Sequence, residues 1–405
     1  MYNGRKVTED LYWVGANEHR LALFENIHPI PKGVSYNAYL LLDENSVLVD
    51  AVDWSACRQL MENIQYLLNG RALDYLIINH MEPDHGASIQ AILKEYPNVK
   101  VIGSVKTFML MRQFGFDMEG HEAIQVKEGD SYSFGNHTFS FSMAPMVHWP
   151  EVMVSFDHKD NVLFSADAFG IFGALDGKLF NDEMDFEREF LDEARRYYTN
   201  IVGKYGPHVQ SLLKKAAKYP IKMIAPLHGP VWRSNIEWFV DKHDKWSRYE
   251  AEEEAVMIAY ASMYGNTETV AQVLASKLVE RGITNVKLYD VSNTHVSQLI
   301  SESFRVSHIV LASPTYNMGI YPIMYNFLHD MKELNLQNRT FAIIENGSWA
   351  SKAGDLMEQF VKEELKNMTI LDERICIASS ACEDKALELD AMADCIVASL
   401  KGELA

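Results

Sequence analysis

His80-Met81-Glu82-Pro83-Asp84-His85 stands directly behind the apolar run Tyr75–Asn79, and the fold is read outward from it. Four side chains able to bind metal fall within six residues. Imidazoles mixed with carboxylates suit a hard or borderline cation. In extended backbone, positions i and i+2 point the same way, which puts His80 and Glu82 on one side. Asp84 and His85 can then turn toward a neighbouring point, with Pro83 stiffening the turn. Three further candidates follow other apolar runs in order: His148 after Met143–Val147, Asp167 after Val162–Ala166 and His228 after Ile224–Leu227. Seven ligands are too many for one ion and suit two, bridged by a carboxylate such as Asp167 across about 3.5–4 Å. Histidines outside this order (His19, His121, His137, His243) read as ordinary core or surface residues.

Around these residues, short apolar runs alternate with turn signals. The pattern predicts strands over 46–50, 75–79, 99–103, 138–144, 152–156, 162–166 and 223–226, and helices near 57–68, 87–95, 190–202 and 209–218. Some strands follow one another too closely for helical crossovers, so a mixed, layered α/β domain is expected.

The character changes near Glu252-Glu253-Glu254. Residues 1–250 carry a net charge of −9 and residues 251–405 a net −10, packed into far fewer residues. A boundary is placed there: a first domain over 1–250, a second over 254–405, and a joining helix over 235–254. In the second part, strands near 256–260, 286–290, 308–312, 341–345 and 370–378 alternate strictly with helices near 268–280, 323–334, 353–364 and 387–400. That alternation indicates a parallel sheet with helices on both faces.

Composition narrows the partners. The chain has 405 residues, 48% hydrophobic and 23% charged, enough for two sizeable cores. Lys and Arg number 37 against 56 Asp and Glu, a net charge of −19 that argues against nucleic acid or an anionic membrane as partner. No apolar run reaches membrane-spanning length and the first residues lack a signal-peptide core, so neither membrane insertion nor export is expected. Cys57, Cys376, Cys382 and Cys395 form no C-x-x-C pair. This excludes a disulfide scaffold or an internal rubredoxin-type iron site and fits a reducing cytoplasm.

The second part opens with Ser262-Met263-Tyr264-Gly265-Asn266-Thr267 between a strand and a helix. Backbone N–H groups and hydroxyls at a helix start hold an anion. The loop has no lysine and no nucleoside-triphosphate motif, so a single phosphate, as in FMN, fits it. Pro314-Thr315-Tyr316-Asn317-Met318-Gly319 and Asn346-Gly347-Ser348-Trp349 follow later strands. Both lie where open α/β sheets bind ligands, and Tyr316 or Trp349 could flank a flavin ring.

The order H-x-E-x-D-H, then His148, Asp167 and His228, resembles the metallo-β-lactamase fold, an αββα sandwich. Most hydrolases of that fold have His where this chain has Glu82, and the carboxylate suits iron better than zinc. The glutamate version, followed by a loop similar to the phosphate loop of flavodoxins, resembles the flavodiiron proteins over nearly the whole chain. The resemblance implies that His80, Glu82 and His148 hold one iron, that Asp84, His85 and His228 hold the other, and that Asp167 bridges them. It also implies FMN in a flavodoxin-like doubly wound second domain, the minimal two-domain form, and a head-to-tail homodimer or dimer of dimers in which one chain's flavin faces its partner's irons.

The implied activity is reduction of dioxygen to water, of nitric oxide to nitrous oxide, or of both. Two ferrous ions and a reduced flavin hold four electrons, the number dioxygen needs; two suffice for a pair of nitric oxide molecules. The implied donor is a separate rubredoxin-like carrier or, as in similar proteins of methanogens, reduced coenzyme F420. The implied role is protection of an anaerobe. His28 and Tyr198, with Tyr197 beside it, are candidates for donating a proton or hydrogen bond to the metal site, and Trp149, Phe169 and Phe172 for keeping it dry. Two other readings stand beside this one: a binuclear zinc hydrolase with a flavodoxin-like appendage, and an electron carrier whose first domain is a scaffold.

Overall fold

The computed structural model describes residues 1–403, which form two compact units, Met1–Asp244 and Lys245 onward. The helix Ile236–Ser247 runs across the boundary.

The first unit is built on two sheets. The larger has seven strands in the order Arg5–Lys6, Leu11–Trp13, Tyr39–Leu42, Ser46–Val49, Tyr75–Ile77, Lys100–Gly103 and Ala123–Gln125. The first four pair antiparallel, and the pairings from Ser46–Val49 onward are parallel. The smaller runs Ser131–Ser133, Thr138–Met143, Met153–Asp157, Val162–Phe164 and Met223–Ala225, with only the last pair parallel. Strand alternation explains how they pack. Tyr39, Leu41, Val47, Val49, Tyr75 and Ile77 point from one sheet to Phe139, Phe141, Met153, Val162 and Phe164 of the other, a shared buried core. On the outer side, the helix Cys57–Leu68 buries Leu60, Ile64 and Leu68 at helical spacing and stops at Asn69, a left-handed cap followed by Gly70.

The second unit is a parallel sheet in the order Val286–Asp290, Glu253–Tyr260, Val306–Tyr316, Thr340–Asn346 and Thr369–Ile377. Its three central strands are buried along most of their length on both faces and therefore read as continuous apolar runs. Met257 and Ala259 join one core with the helices Val296–Arg305, Pro322–Glu333 and Ala353–Glu364. Val256 and Ile258 join the other with Asn266–Glu280 and Ala386–Leu400. The strand order is that of flavodoxin, with the topological switch between Glu253–Tyr260 and Val306–Tyr316, the first and third strands of this unit. The helices Val105–Gln113 and Val296–Arg305 and the short strands Arg5–Lys6, Leu11–Trp13, Ala123–Gln125 and Ser131–Ser133 are among the elements absent from the sequence expectations. The expected helix over 190–202 is α-helical only to Tyr197 and continues as a π-helix over Tyr198–Val202.

His308, on the central strand, is buried and bonds the hydroxyls of Ser307 and Ser399. Burial pulls its imidazole down to about 4, against a smaller opposing pull from Glu254. An unfolded histidine titrates near 6.5, so between those values the unfolded chain binds the extra proton and stability falls as pH falls. Lowering the pH from 7 to 5 is expected to remove about 2 kcal/mol from the second unit. Urea unfolding at both pH values checks this, with His308→Gln losing most of the difference.

Candidate metal centre and cofactor site

Five segments of the first unit carry the candidate ligands to one place. His80 follows the strand Tyr75–Ile77. Glu82 caps the short helix Pro83–Gly86, whose first turn presents Asp84 and His85 and whose leading proline needs no N–H partner. His148 lies between Thr138–Met143 and Met153–Asp157, Asp167 follows Val162–Phe164, and His228 follows Met223–Ala225. Met146, Ala166 and Phe169, beside His148 and Asp167, hold left-handed backbone (φ 65°, 51° and 69°). Such conformations are costly for non-glycine residues and concentrate at functional sites.

Two donor groups result: His80, Glu82, His148 and Asp167, and Asp84, His85 and His228. In the first, His148 Nε2 lies 2.8 Å from Glu82 Oε2 and 3.1 Å from Asp167 Oδ2, and His80 Nε2 lies 3.3 and 3.2 Å from the same two oxygens. In the second, His85 Nε2 and His228 Nε2 are 3.1 Å apart and lie 3.3 and 3.1 Å from Asp84 Oδ2. Asp167 turns its other oxygen, Oδ1, to this group, 3.1 Å from His85 and 3.6 Å from His228. One carboxylate thus faces both groups, one oxygen to each.

The donors fit a pair of cations. Neighbouring ligands at right angles on an ion about 2.1 Å away would be about 3 Å apart, the separation seen here. Both oxygens of Asp84 and Oδ1 of Asp167 are buried without a hydrogen bond, a costly state for carboxylates unless positive charge sits beside them. The distal nitrogens fix the tautomers: His80 Nδ1 donates to Glu151 Oε1 at 2.7 Å and His228 Nδ1 to the Ser35 carbonyl at 2.8 Å. Each neutral ring then aims the Nε2 lone pair inward.

Without cations the imidazoles neutralise the acids. Burial alone would lower His148, but Asp167 and Glu82 carry it up to about 9. His80 and His228 rise above the ordinary range against the same burial, through Asp167, Glu151 and Glu82 for one and Asp84 and Asp167 for the other. Burial would raise Glu82 and Asp167, yet the facing imidazoles hold both below the usual carboxylate range.

Aromatic rings enclose the centre. Trp149 packs edge-on against His80 at 5.6 Å, and Phe172 stacks edge-on against Tyr197 at 5.1 Å. Phe169 packs on His243 rather than on a candidate ligand. His28 is buried, 6.0 Å from Phe172 between ring centres. Tyr198 packs on His243 and shares a small apolar cavity with Asp167. Its neighbour Tyr197 packs on His228 at 5.4 Å, beside Phe24 and Tyr36, with its hydroxyl buried and without a hydrogen bond.

Three acids escaped the sequence reading. Glu151 supports His80. Asp50 accepts from the backbone N–H groups of Asn79 (2.6 Å) and His80 (3.3 Å) and from the Asn79 side chain, while Asn79 Oδ1 accepts from Ser155 of the other sheet. Its position at the end of the apolar run over 46–50 was the available signal. Glu25 lies beside Glu82, and burial together with that neighbour pushes its carboxyl up to about 8.

In the second unit, a cleft opens at the switch point of the sheet, where open α/β sheets bind ligands. Ser262, Met263, Tyr264, Asn266, Thr267, Pro314, Thr315, Asn346, Gly347, Ser348, Trp349 and Ala350 line it, with Ser379 added by the structure. Gly265 caps the helix at φ 89°, with open space where a side chain would point, and its N–H donates to Ser262 Oγ. Asn346 ties the loops together through Thr267 and Ser379. Tyr316 and Gly319 pair in a hairpin whose turn is Asn317-Met318, both left-handed, and these four do not line the cleft. The lining is uncharged, hydroxyl-rich and flanked by the exposed rings of Tyr264 and Trp349. That fits one phosphate and a flat aromatic ring, as in FMN.

Comparison with known proteins follows the same division. A family model described as ODP family beta lactamase matches residues 34–229, and one described as flavodoxin matches residues 258–385. The nitric oxide reductase of Moorella thermoacetica is 30% identical over 359 residues, 88% of this chain and 89% of that one. The anaerobic nitric oxide reductase flavorubredoxin of Vibrio vulnificus is 30% identical over 361 residues, 86% of this chain and 71% of that one. The structure of the rubredoxin oxygen:oxidoreductase of Desulfovibrio gigas superposes with a TM-score of 0.91 at 28% identity, covering 99% of this chain and 100% of that one.

Each raised imidazole must lose its proton before it can ligate, so metal uptake should release protons and weaken by about tenfold per pH unit for each proton released as pH falls below 9. Iron titrations of metal-free protein between pH 6 and 9 check this. Asp167→Ala is expected to reduce bound metal from two ions per chain to one or none, measured by elemental analysis.

Proposed function

We propose a function from one premise: this chain belongs to the flavodiiron protein family. It is an FMN- and diiron-dependent oxidoreductase, and the reaction proposed for it is reduction of nitric oxide or dioxygen. The observation that carries the reading is the pair of donor groups sharing Asp167, one oxygen to each. Three carboxylates among seven donors, Glu82 included, favour iron over zinc and so disfavour the hydrolase reading.

When bound, the irons and flavin supply the electrons. The chain's own residues do the rest. Asp167 and the imidazoles would hold two neighbouring ions, and such a pair would supply binding for a diatomic molecule or for two molecules at once. Trp149, Phe172 and Tyr197 exclude bulk water from the donors. The Tyr197 hydroxyl, buried without a hydrogen bond, is the donor we place on the His228 side, and burial raises the proton affinity of Glu25 beside Glu82. In the second unit, the N–H groups and hydroxyls of 262–267 hold the phosphate without a basic side chain.

A rubredoxin-like carrier is the donor we favour, following the name of the Desulfovibrio gigas relative; reduced F420 is the comparison in the same assay. The two cofactor sites belong to different units. We therefore place the working enzyme as a head-to-tail homodimer, with the flavin of one chain serving the irons of its partner.

Fully reduced protein mixed anaerobically with each gas in a stopped-flow instrument tests the activity. Flavin reoxidation coupled to iron over several turnovers is expected with at least one gas, and the faster one identifies the substrate. Reaction with neither, and zinc in the site, would return the hydrolase reading. The dimer predicts that turnover per chain falls on dilution as the species shrinks to a monomer by light scattering. A fully active monomer would retire it.

A further inference from the structure

We infer that Glu151 is a positioning residue that makes the two metal positions electronically unequal. The inference rests on the diiron reading above and goes beyond it, because no metal contact of Glu151 is involved.

The carboxylate is entirely buried, yet among the described residues no lysine or arginine pairs with it; its one ionic contact is His80 Nδ1 at 2.7 Å. The same oxygen, Oε1, also accepts from the Met81 N–H at 2.9 Å, and Oε2 is buried with no hydrogen bond. The residue's own carbonyl accepts from Ser104 Oγ at 3.2 Å, at the capping box of the helix Val105–Gln113. Glu151 is therefore fixed from two sides in a place where an uncompensated negative charge is costly. The compensation comes through the imidazole ring, from a cation at Nε2.

In the other group neither distal nitrogen bonds a carboxylate, and His85 Nδ1 is buried without a hydrogen bond. His228 Nδ1 donates to a neutral backbone carbonyl, Ser35 O, at 2.8 Å. A histidine that shares its distal proton with a carboxylate is a stronger ligand than one bonded to a carbonyl. The position defined by His80, Glu82, His148 and Asp167 thus receives more electron density than the one defined by Asp84, His85 and His228. Its ion is the tighter bound and the easier to oxidise.

Two variants of the full-length, FMN-loaded protein separate positioning from charge. Glu151→Gln keeps an oxygen in place to accept from His80 and Met81 and removes only the charge. It should bind both irons with less than a tenfold change while the reduction potential of the pair, followed by Mössbauer spectroscopy, moves upward. Glu151→Ala removes the support as well, and one of the two iron equivalents should weaken by about 10–100-fold. FMN content and circular dichroism report whether it folds; if it does not, the isosteric Glu151→Gln potential decides alone. An unchanged potential in Glu151→Gln overturns the inference, as does wild-type affinity for both irons in a folded Glu151→Ala. Wild-type protein that takes up no redox-active iron would overturn the diiron reading itself, and that failure is visible before any variant is made.

Discussion

The first unit is organised around a charge that cannot be left alone. Three carboxylates and four imidazoles are gathered in a buried space. Stripping water from such groups costs several kcal/mol each unless opposite charge replaces it. When no metal is bound His80, His148 and His228 supply that charge, and their raised proton affinities record it. Two cations supply it better, because each imidazole can then be neutral and each carboxylate fully paired.

Holding the donors requires strand ends rather than flexible loops. The core packs face to face between the sheets, and the ligand segments leave from the ends of strands that this core immobilises. Asp50 extends the support by clamping Asn79 and the His80 backbone, and Asn79 reaches Ser155 on the opposite sheet. The second unit repeats the logic with different chemistry. There a parallel sheet buried on both faces fixes loops that offer backbone N–H groups and hydroxyls instead of ionised side chains.

Much of this was legible in the chain. Ligating residue types packed at short spacing behind an apolar run are rare by chance, so His80 to His85 stood out, and His148, Asp167 and His228 followed in order. The alternation of apolar runs in the second part exposed its parallel sheet, because a strand buried on both faces has no polar face to blur the signal. What escaped was everything that acts through tertiary neighbours. Glu151 and Asp50 look like ordinary acids until the fold brings each to the His80 loop. Tyr197 and Tyr198 are adjacent on a helix and differ only in which way the turn faces; the π-helical stretch starting at Tyr198 changes that facing, and helical periodicity cannot anticipate it. The short edge strands carried too few residues for any period to show, and the hairpin at Asn317-Met318 was read as open loop because left-handed turns leave only a weak compositional mark.

The spread of the donors along the chain has a consequence for biogenesis. His80 and His228 are 148 positions apart, on the two different sheets, so no nascent segment can chelate a metal in its final geometry. Only the cluster His80 to His85 lies within one short stretch of chain, and by itself it is a weak and unselective chelator. Loading must therefore come after the sandwich has closed, and the finished cavity rather than the metal pool met during synthesis selects the ion. The same arrangement turns bound metal into a late-acting rivet across two layers: it adds little to the speed of folding and much to the time the folded state persists.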